Sequence, residues 1–338
     1  MQNSTPAYPS PPKYKKILIV CPAHAMSGGP EALHHLADQL NRVGLNAFMC
    51  YLPFNRPAIA PEAYKRYVSP ASGYEDSPGN LIIFPEVSPH LAMKVKYAQA
   101  ALWWLSLDNF LERRHTWPLY DKFRYLKGVL KGRRPWNGVK SLSKLIHFSQ
   151  SQHASSYLKS CGIEPVPLFE PINEDFLTDR DLLDSGPRQN VILYNPTKGK
   201  KITAKLIRDH PQFQFEPLRG FNREQLSEKF YSAKLYIDFG HHPGRERMPR
   251  EAAMQGCCLI TGNHGSAGNP YDLPIPARYK LDSAGPDFGP LFKALTQDIF
   301  DNFAEHSAAL NDYRSRLKQE PAIFRQHIND YFFRTEDE

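Results

Sequence analysis

The side chains best able to do chemistry lie in residues 236–267, YIDFGHHPGRERMPREAAMQGCCLITGNHGSA, which bring together His241, His242, Arg245, Glu246, Arg247, Arg250 and Glu251, then Gly265 and Ser266. The apolar runs at 235–239 and 257–261 suit strands buried on both faces of a parallel sheet. Between them the pattern predicts a helix that begins near Pro249, since proline is favoured in a first helical turn, and that ends at Gly256. The histidines and arginines then stand in the turn between the carboxyl end of a strand and the amino end of a helix. Unpaired amide hydrogens and the positive helix end favour anions there, and three arginines strengthen the preference. A diphosphate suits such a place.

A second group of cations, Lys198, Lys200 and Lys201 around Gly199 in YNPTKGKK, follows another apolar run at 191–194. Lysines in a turn are ordinarily solvated, but these share a sheet edge with the arginine-rich turn, so Lys198 and Lys201 are expected on the same anion. Preorganised cations at a phosphate leaving group are a large catalytic effect. For taking a proton, the first half of the chain offers His24, Ser27, Glu31, His34 and Asp108. A base must reach the proton it removes, and His24 and Asp108, each expected at the carboxyl end of a strand, satisfy that best. A capped turn or a hydrogen-bonded histidine accounts equally well for either alone, and a carboxylate at Glu31 is stabilising in a first helical turn in any case. Gly28 and Gly29 let the backbone approach a ligand closely. The dinucleotide fingerprint GxGxxG is absent, which disfavours a nicotinamide cofactor. His241 and His242 have no acidic DxD pair beside them, so no metal site is expected. Trp103 and Trp104 point to opposite faces of a strand, so one is available to stack on a flat ligand face while the other is core; burial of both is the blander account.

The elements that must position these residues alternate along the chain. An apolar run at 16–21 precedes the two glycines and a helical pattern over 30–42, in which Leu33, Ala37, Leu40 and Val43 recur at helical spacing. Further apolar runs fall at 46–52, 80–84, 100–107, 145–148 and 166–169, with helical patterns at 91–98 and 154–160, and Asp108 directly follows the run at 100–107. The second half repeats the scheme, with strands at 191–194 and 213–216 and helices at 201–209 and 223–232. Such alternation implies parallel, doubly wound sheets. The expected organisation is a loose proline-rich tail over 1–12, a first domain over 13–172, an acidic linker over 173–187, a second domain over 188–320 and a last helix within 321–338. Residues 113–140 break the rhythm, with nine basic residues against the single acid Asp121. There Leu119, Phe123, Leu126 and Leu130 share a helical face beside Arg124, Lys127 and Lys131. A basic amphipathic helix suits an anionic lipid surface; an apolar stripe packed on its own domain explains the pattern equally well.

A strand, a turn rich in histidine and glycine, the run PxEAxxxGCxxIT and a GSA loop together resemble the nucleotide-sugar half of the GT-B glycosyltransferases, and Pro249, Glu251, Ala252, Gly256 and Gly265 carry the likeness. The resemblance implies an α/β chain of two facing Rossmann-like, doubly wound domains with C-terminal helices, the last crossing back to the first domain. It implies that Glu251 holds the ribose hydroxyls, that a lysine near Lys198 meets the donor diphosphate, and that neither a divalent ion nor another cofactor is needed. The donor side then comprises Gly28, Gly29, Lys198, Lys201, His242, Arg245, Glu246, Arg247, Arg250, Glu251, Gly265 and Ser266, with Asp108 or His24 as acceptor-side base. The retaining branch of that fold usually carries another glutamate eight residues before Glu251, where this chain has Pro243. The expected function is transfer of a sugar from a nucleotide-diphosphate donor to a glycan or lipid-linked acceptor, as in bacterial surface-polysaccharide synthesis. A nucleotide-sugar epimerase using Glu246, His242 and Asp108, and a non-catalytic glycan-binding subunit, are the alternatives.

The 338 residues, 41% hydrophobic and 12% aromatic, suit two soluble globular domains. No run approaches the roughly eighteen apolar residues of a membrane helix, and residues 1–12 lack a signal-peptide core. A cytoplasmic protein is therefore expected, peripheral on the inner face of the membrane if the basic segment meets lipid. Five cysteines without CxxC spacing read as buried thiols. A net charge of +7 suits phosphorylated substrates or an anionic membrane. Nucleic acid is not an expected partner, because no RNP-like, zinc-finger or helix-turn-helix signature is present.

Overall fold

The computed structural model describes residues 11–54, 60–111, 118–133, 138–177 and 188–334. A six-stranded parallel sheet forms from β1 (Lys16–Pro22), β2 (Ala47–Leu52), β3 (Asn80–Pro85), β4 (Gln99–Trp104), β5 (Ile146–Ser149) and β6 (Val166–Pro167), in the order β2-β1-β3-β4-β5-β6. Its connections carry α1 (Gly28–Arg42), α2 (Pro89–Ala92), α3 (Leu107–Leu111), α4 (Pro118–Leu130) and α5 (Gln152–Ser160). Alternate residues of β1 serve two cores. Ile17 and Ile19 pack with Leu33 and Leu36 of α1, whereas Leu18 and Val20 pack with Phe84 and Leu158 on the opposite face. Covering both faces is why the strand is apolar throughout.

A second parallel sheet comprises β7 (Gln189–Tyr194), β8 (Gln214–Pro217), β9 (Ala233–Asp238) and β10 (Cys258–Thr261), in the order β10-β9-β7-β8. It is flanked by α6 (Lys200–Asp209), α7 (Arg223–Ser232), α8 (Arg247–Met254), α9 (Phe288–Asp301) and α10 (Phe303–Ala308), and the described chain closes with α11 (Asn311–Phe332). Tyr313 and Leu317 of α11 lie in the core around Ile237, while Phe324, Ile328 and Phe332 lie in the core around Ile17 and Phe148. One helix thus joins both cores.

Several expected boundaries move. Gly28 and Gly29 open α1 instead of forming a turn before it, and the helix expected at 91–98 is the single turn α2. The strand expected to reach residue 107 stops at Trp104, so Asp108 sits in the first turn of α3. Helix α8 begins at Arg247, two residues before the expected start, and Pro249 is its third residue. The first four helical amides have no partner within the helix, so proline loses no hydrogen bond there. Trp103 and Trp104 are both fully buried, their indole N–H groups donating to the Leu168 carbonyl (3.1 Å) and to His147 Nδ1 (2.9 Å), so neither is a sugar platform. Cys21, Cys50, Cys257 and Cys258 are buried free thiols, and burial pushes the first and the last two up to about 12. Residues 1–10 of the tail expected over 1–12, residues 178–187 of the linker, and Arg113, Arg114 and Arg134 of the basic segment lie outside the described residues, whereas Pro11 accepts from the Arg334 amide at 3.0 Å.

Candidate functional site

The carboxyl edges of the two sheets meet, and glycines let them do so. A Cβ on Gly244, in the turn after β9, would lie 2.0 Å from the Leu105 carbonyl oxygen at the end of β4. Gly265, after β10, has φ +63°, and a Cβ there would lie 2.1 Å from the His242 carbonyl oxygen and 3.0 Å from Asp108 Oδ2. The amide of Ser266 donates to the His242 carbonyl at 2.8 Å, and its hydroxyl donates to the Gly244 carbonyl. At Gly244 main chain therefore packs on main chain across the junction, where a side chain would hold the domains apart, while the contacts of Gly265 and Ser266 with His242 and Gly244 fix the loop within the second domain.

Asp108 lies at this junction, only 3% exposed. His241 Nε2, from the second domain, stands 2.8 Å from Asp108 Oδ2, and His153 Nε2, from the first turn of α5, stands 3.4 Å away. Burial alone would raise the carboxyl pKa, but hydrogen bonds from His153 and His241 outweigh it and hold the group down at about 2. Among the described residues Oδ2 has no hydrogen-bond donor of good geometry, the 2.8 Å approach of His241 notwithstanding. His153 is held in turn from the second domain, since Asp272 accepts from the Gln152 and His153 amides at 2.7 and 2.8 Å. His24 is exposed in the β1–α1 loop. His242 is buried, with Nε2 3.4 Å from Asp238 Oδ1.

The expected anion ligands are largely spent on acids of the chain itself. Arg245 pairs with Glu320 of α11, and Arg250 pairs with the same carboxylate at 2.9 Å while donating to the Glu170 carbonyl at 3.1 Å. Both pairs follow from burial, because a buried guanidinium is stable only when its charge and its N–H groups are matched. Arg247 pairs with Glu170 and, at 2.5 Å, with Glu31. Burial would raise the Glu170 carboxyl, but Arg247 and His35 hold it near about 2. Lys198 pairs with Glu246, the N-cap of α8, while Lys201 is exposed in the first turn of α6. Glu251 is 6% exposed, and burial lifts its carboxyl to about 7 against the pull of Arg247 and Arg250, with Glu31 adding to the rise. Lys198, Glu246, Arg247, Glu251, Gly265, Ser266 and Asp108 are thus brought to one junction, close to the amino end of α1 where Gly28 and Gly29 lie. His153 and Arg223, at the amino ends of α5 and α7, and Tyr67 and Asp272, in long connections, join them with no signal in the sequence.

No protein-family model matches the chain, and no curated protein matches it. Solved structures do. Sucrose-phosphate synthase from Thermosynechococcus elongatus is 12% identical, with TM-score 0.58 over 92% of this chain and 98% of that one. A UDP-forming trehalose-phosphate synthase from Burkholderia xenovorans is 11% identical, with TM-score 0.56 over 94% and 99%. The pneumococcal O-GlcNAc transferase in complex with UDP and GlcNAc is 11% identical, with TM-score 0.57 over 94% and 97%. With two parallel sheets facing each other along their carboxyl edges, and matches spanning nearly the whole of both chains, the fold is that of the GT-B glycosyltransferases.

Proposed function

We propose that the chain transfers a sugar from a nucleotide-diphosphate donor to a glycan or a lipid-linked acceptor, in the assembly of a surface polysaccharide. The observation that carries this is the junction itself: on a GT-B fold, a buried Glu251 in α8, Lys198 at the end of β7 and the Gly265–Ser266 loop converge opposite Asp108 of the other domain. Glu251 receives the ribose hydroxyls. Lys198, assisted by Lys201 and Arg247, neutralises the leaving diphosphate without a divalent ion, and Glu246 holds Lys198 in place until the donor arrives. The backbones of Gly28, Gly29, Gly265 and Ser266 line the passage. On the acceptor side Asp108 and His241 act as a unit. A carboxylate kept ionised orients and polarises the more exposed imidazole, which takes the hydroxyl proton.

The acceptor reading is supported by α4. Phe123, Leu126 and Leu130 are 68%, 46% and 76% exposed, next to exposed Lys127, Lys131 and Arg133. An apolar ridge among cations fits an anionic lipid surface, where a lipid-linked acceptor would lie. No helix among the described residues is long and apolar enough to cross a membrane.

The test is a panel of nucleoside diphosphates and nucleotide sugars read by thermal shift, followed by turnover with and without acceptor. Stabilisation by one nucleotide family is expected, and Glu251→Ala should weaken that binding by about 1–3 kcal/mol, the cost of hydrogen bonds to a charged group. If no nucleotide shifts the melting temperature, the reading fails; if the nucleotide sugar is turned over with no acceptor present and without hydrolysis of the sugar, an epimerase is favoured.

A further inference from the structure

Glu31 joins the two domains more than any local pattern suggests. It lies in the first turn of α1, and its carboxylate accepts from the Tyr67 hydroxyl at 2.9 Å, pairs with Arg247 Nη1 at 2.5 Å, and pairs with the Arg223 guanidinium. Arg223 and Arg247 come from the second domain, where they are the first residues of α7 and α8. Helix amino ends add positive potential at those positions. Arg247 keeps Glu170 as a second partner, whereas among the described residues Glu31 is the one ion-pair partner of Arg223. The side chain of Arg223 is 33% exposed against 14% for Glu31, so the group opens to solvent on the Arg223 side. Glu251 stands close enough to be coupled electrostatically to Glu31, Arg223 and Arg247.

Two guanidinium groups and a phenol converging on two oxygens offer what a phosphate accepts as readily as a carboxylate does. We propose that Glu31 is a stand-in ligand: in the empty enzyme its carboxylate fills an anion cradle of Arg223, Arg247 and Tyr67 that receives a phosphate of a nucleoside diphosphate, and the donor must displace it. This rests on the reading above that the donor is a nucleotide sugar. Displacement would also release α1 from α7 and α8, so donor entry and the loosening of the domain contact become one event. The apparent affinity of the wild type is then reduced by the fraction of molecules in which Glu31 is bound.

The test is calorimetric titration of the full chain with nucleoside diphosphate, nucleoside monophosphate and inorganic pyrophosphate. If the self-bound form outnumbers the free one by about ten to one, Glu31→Gln should bind the diphosphate about tenfold more tightly. Glu31→Asp, one methylene shorter, keeps the charge but loses the reach to both arginines, so it should also bind more tightly; it separates reach from charge and carries the test if Glu31→Gln does not fold. Arg223→Gln added to Glu31→Gln should reverse the gain. Unchanged or weaker binding in both Glu31 variants overturns the proposal, as does indifference to Arg223→Gln in the Glu31→Gln background. Should no nucleotide bind any variant, the donor reading fails by itself. Pyrophosphate then decides the cradle: tighter binding by Glu31→Gln upholds it, and no binding overturns it.

Discussion

Burial beside two arginines and a second glutamate leaves Glu251 with a carboxyl that ionises only near about 7, where the unfolded chain ionises at 4.5. As pH rises from about 4.5 to about 7 the folded state must take up a buried charge that the unfolded state carries freely, so this group costs stability, on the order of 3 kcal/mol above pH 7. Glu251→Gln should therefore raise the melting temperature at pH 8 and leave it nearly unchanged at pH 4.5; an equal shift at both would show that the charge is not the cause. Asp108 has the opposite sign. Its folded pKa of about 2 lies below the ordinary 3.8, so it stabilises the fold above pH 3.8 and that contribution is lost as pH falls toward 2. Asp108→Asn should cut turnover by about 100-fold or more while nucleotide affinity holds, because only the acceptor-side proton transfer is touched. Near-normal turnover would remove Asp108 from the chemistry. The placement of Asp108, Glu251 and Lys198 on or beside strand and helix ends was legible in the sequence, because nearness to an element end is a local property. The partners were not: Arg223 meets Glu31 across 192 residues and Arg245 meets Glu320 across 75, and no periodicity records such a meeting.

At the scale of elements, the strands were legible wherever both faces of a sheet are covered, since a continuous apolar run such as VILY or CLIT has no other soluble home. The ends of elements were harder. Helix α8 starts two residues early because Glu246 is still extended, at φ −67° and ψ 138°, and Pro249 fits the third position as well as the first. The charge of the arginine-rich turn is visible in a sequence, whereas the pairing of Arg245 and Arg250 with Glu320 of a distant helix is not. What that turn does structurally can be tested at Gly244. Ordinary contact requires a Cβ to be far beyond the 2.0 Å that separates it from the Leu105 carbonyl oxygen, so Gly244→Ala must push the turn back by an ångström or more. A misplacement of about 1 Å can cost about 100-fold in rate. Gly244→Ala should lose turnover on that scale and enlarge the radius of gyration in small-angle scattering, with each sheet still folded. Wild-type scattering and turnover together would mean that the contact does not set the domain closure.

The whole molecule carries a net charge of +7, and the cleft does not account for it, because there arginines and lysines are matched by Glu31, Glu170, Glu246 and Glu320. By sequence the excess of positive charge falls in residues 113–140, where α4 presents Phe123, Leu126 and Leu130 to solvent. An apolar stripe that the domain leaves uncovered needs another partner, and one ringed by Lys127, Lys131 and Arg133 fits anionic lipid better than a neutral protein surface. Each basic side chain near such a surface contributes about 1 kcal/mol, a contribution that falls off within a Debye length of about 8–10 Å at physiological salt. Replacing Lys127, Lys131 and Arg133 together by glutamine should therefore weaken sedimentation with phosphatidylserine vesicles by about 3 kcal/mol at low salt. High salt should reproduce that part of the loss in the wild type, whereas Phe123→Ser with Leu130→Ser should weaken binding at any salt, because burial of apolar area is not screened. Vesicles of zwitterionic lipid alone should bind poorly in every case. If the wild type ignores anionic vesicles at low salt, the ridge on α4 has some other partner and the lipid-linked acceptor loses its support.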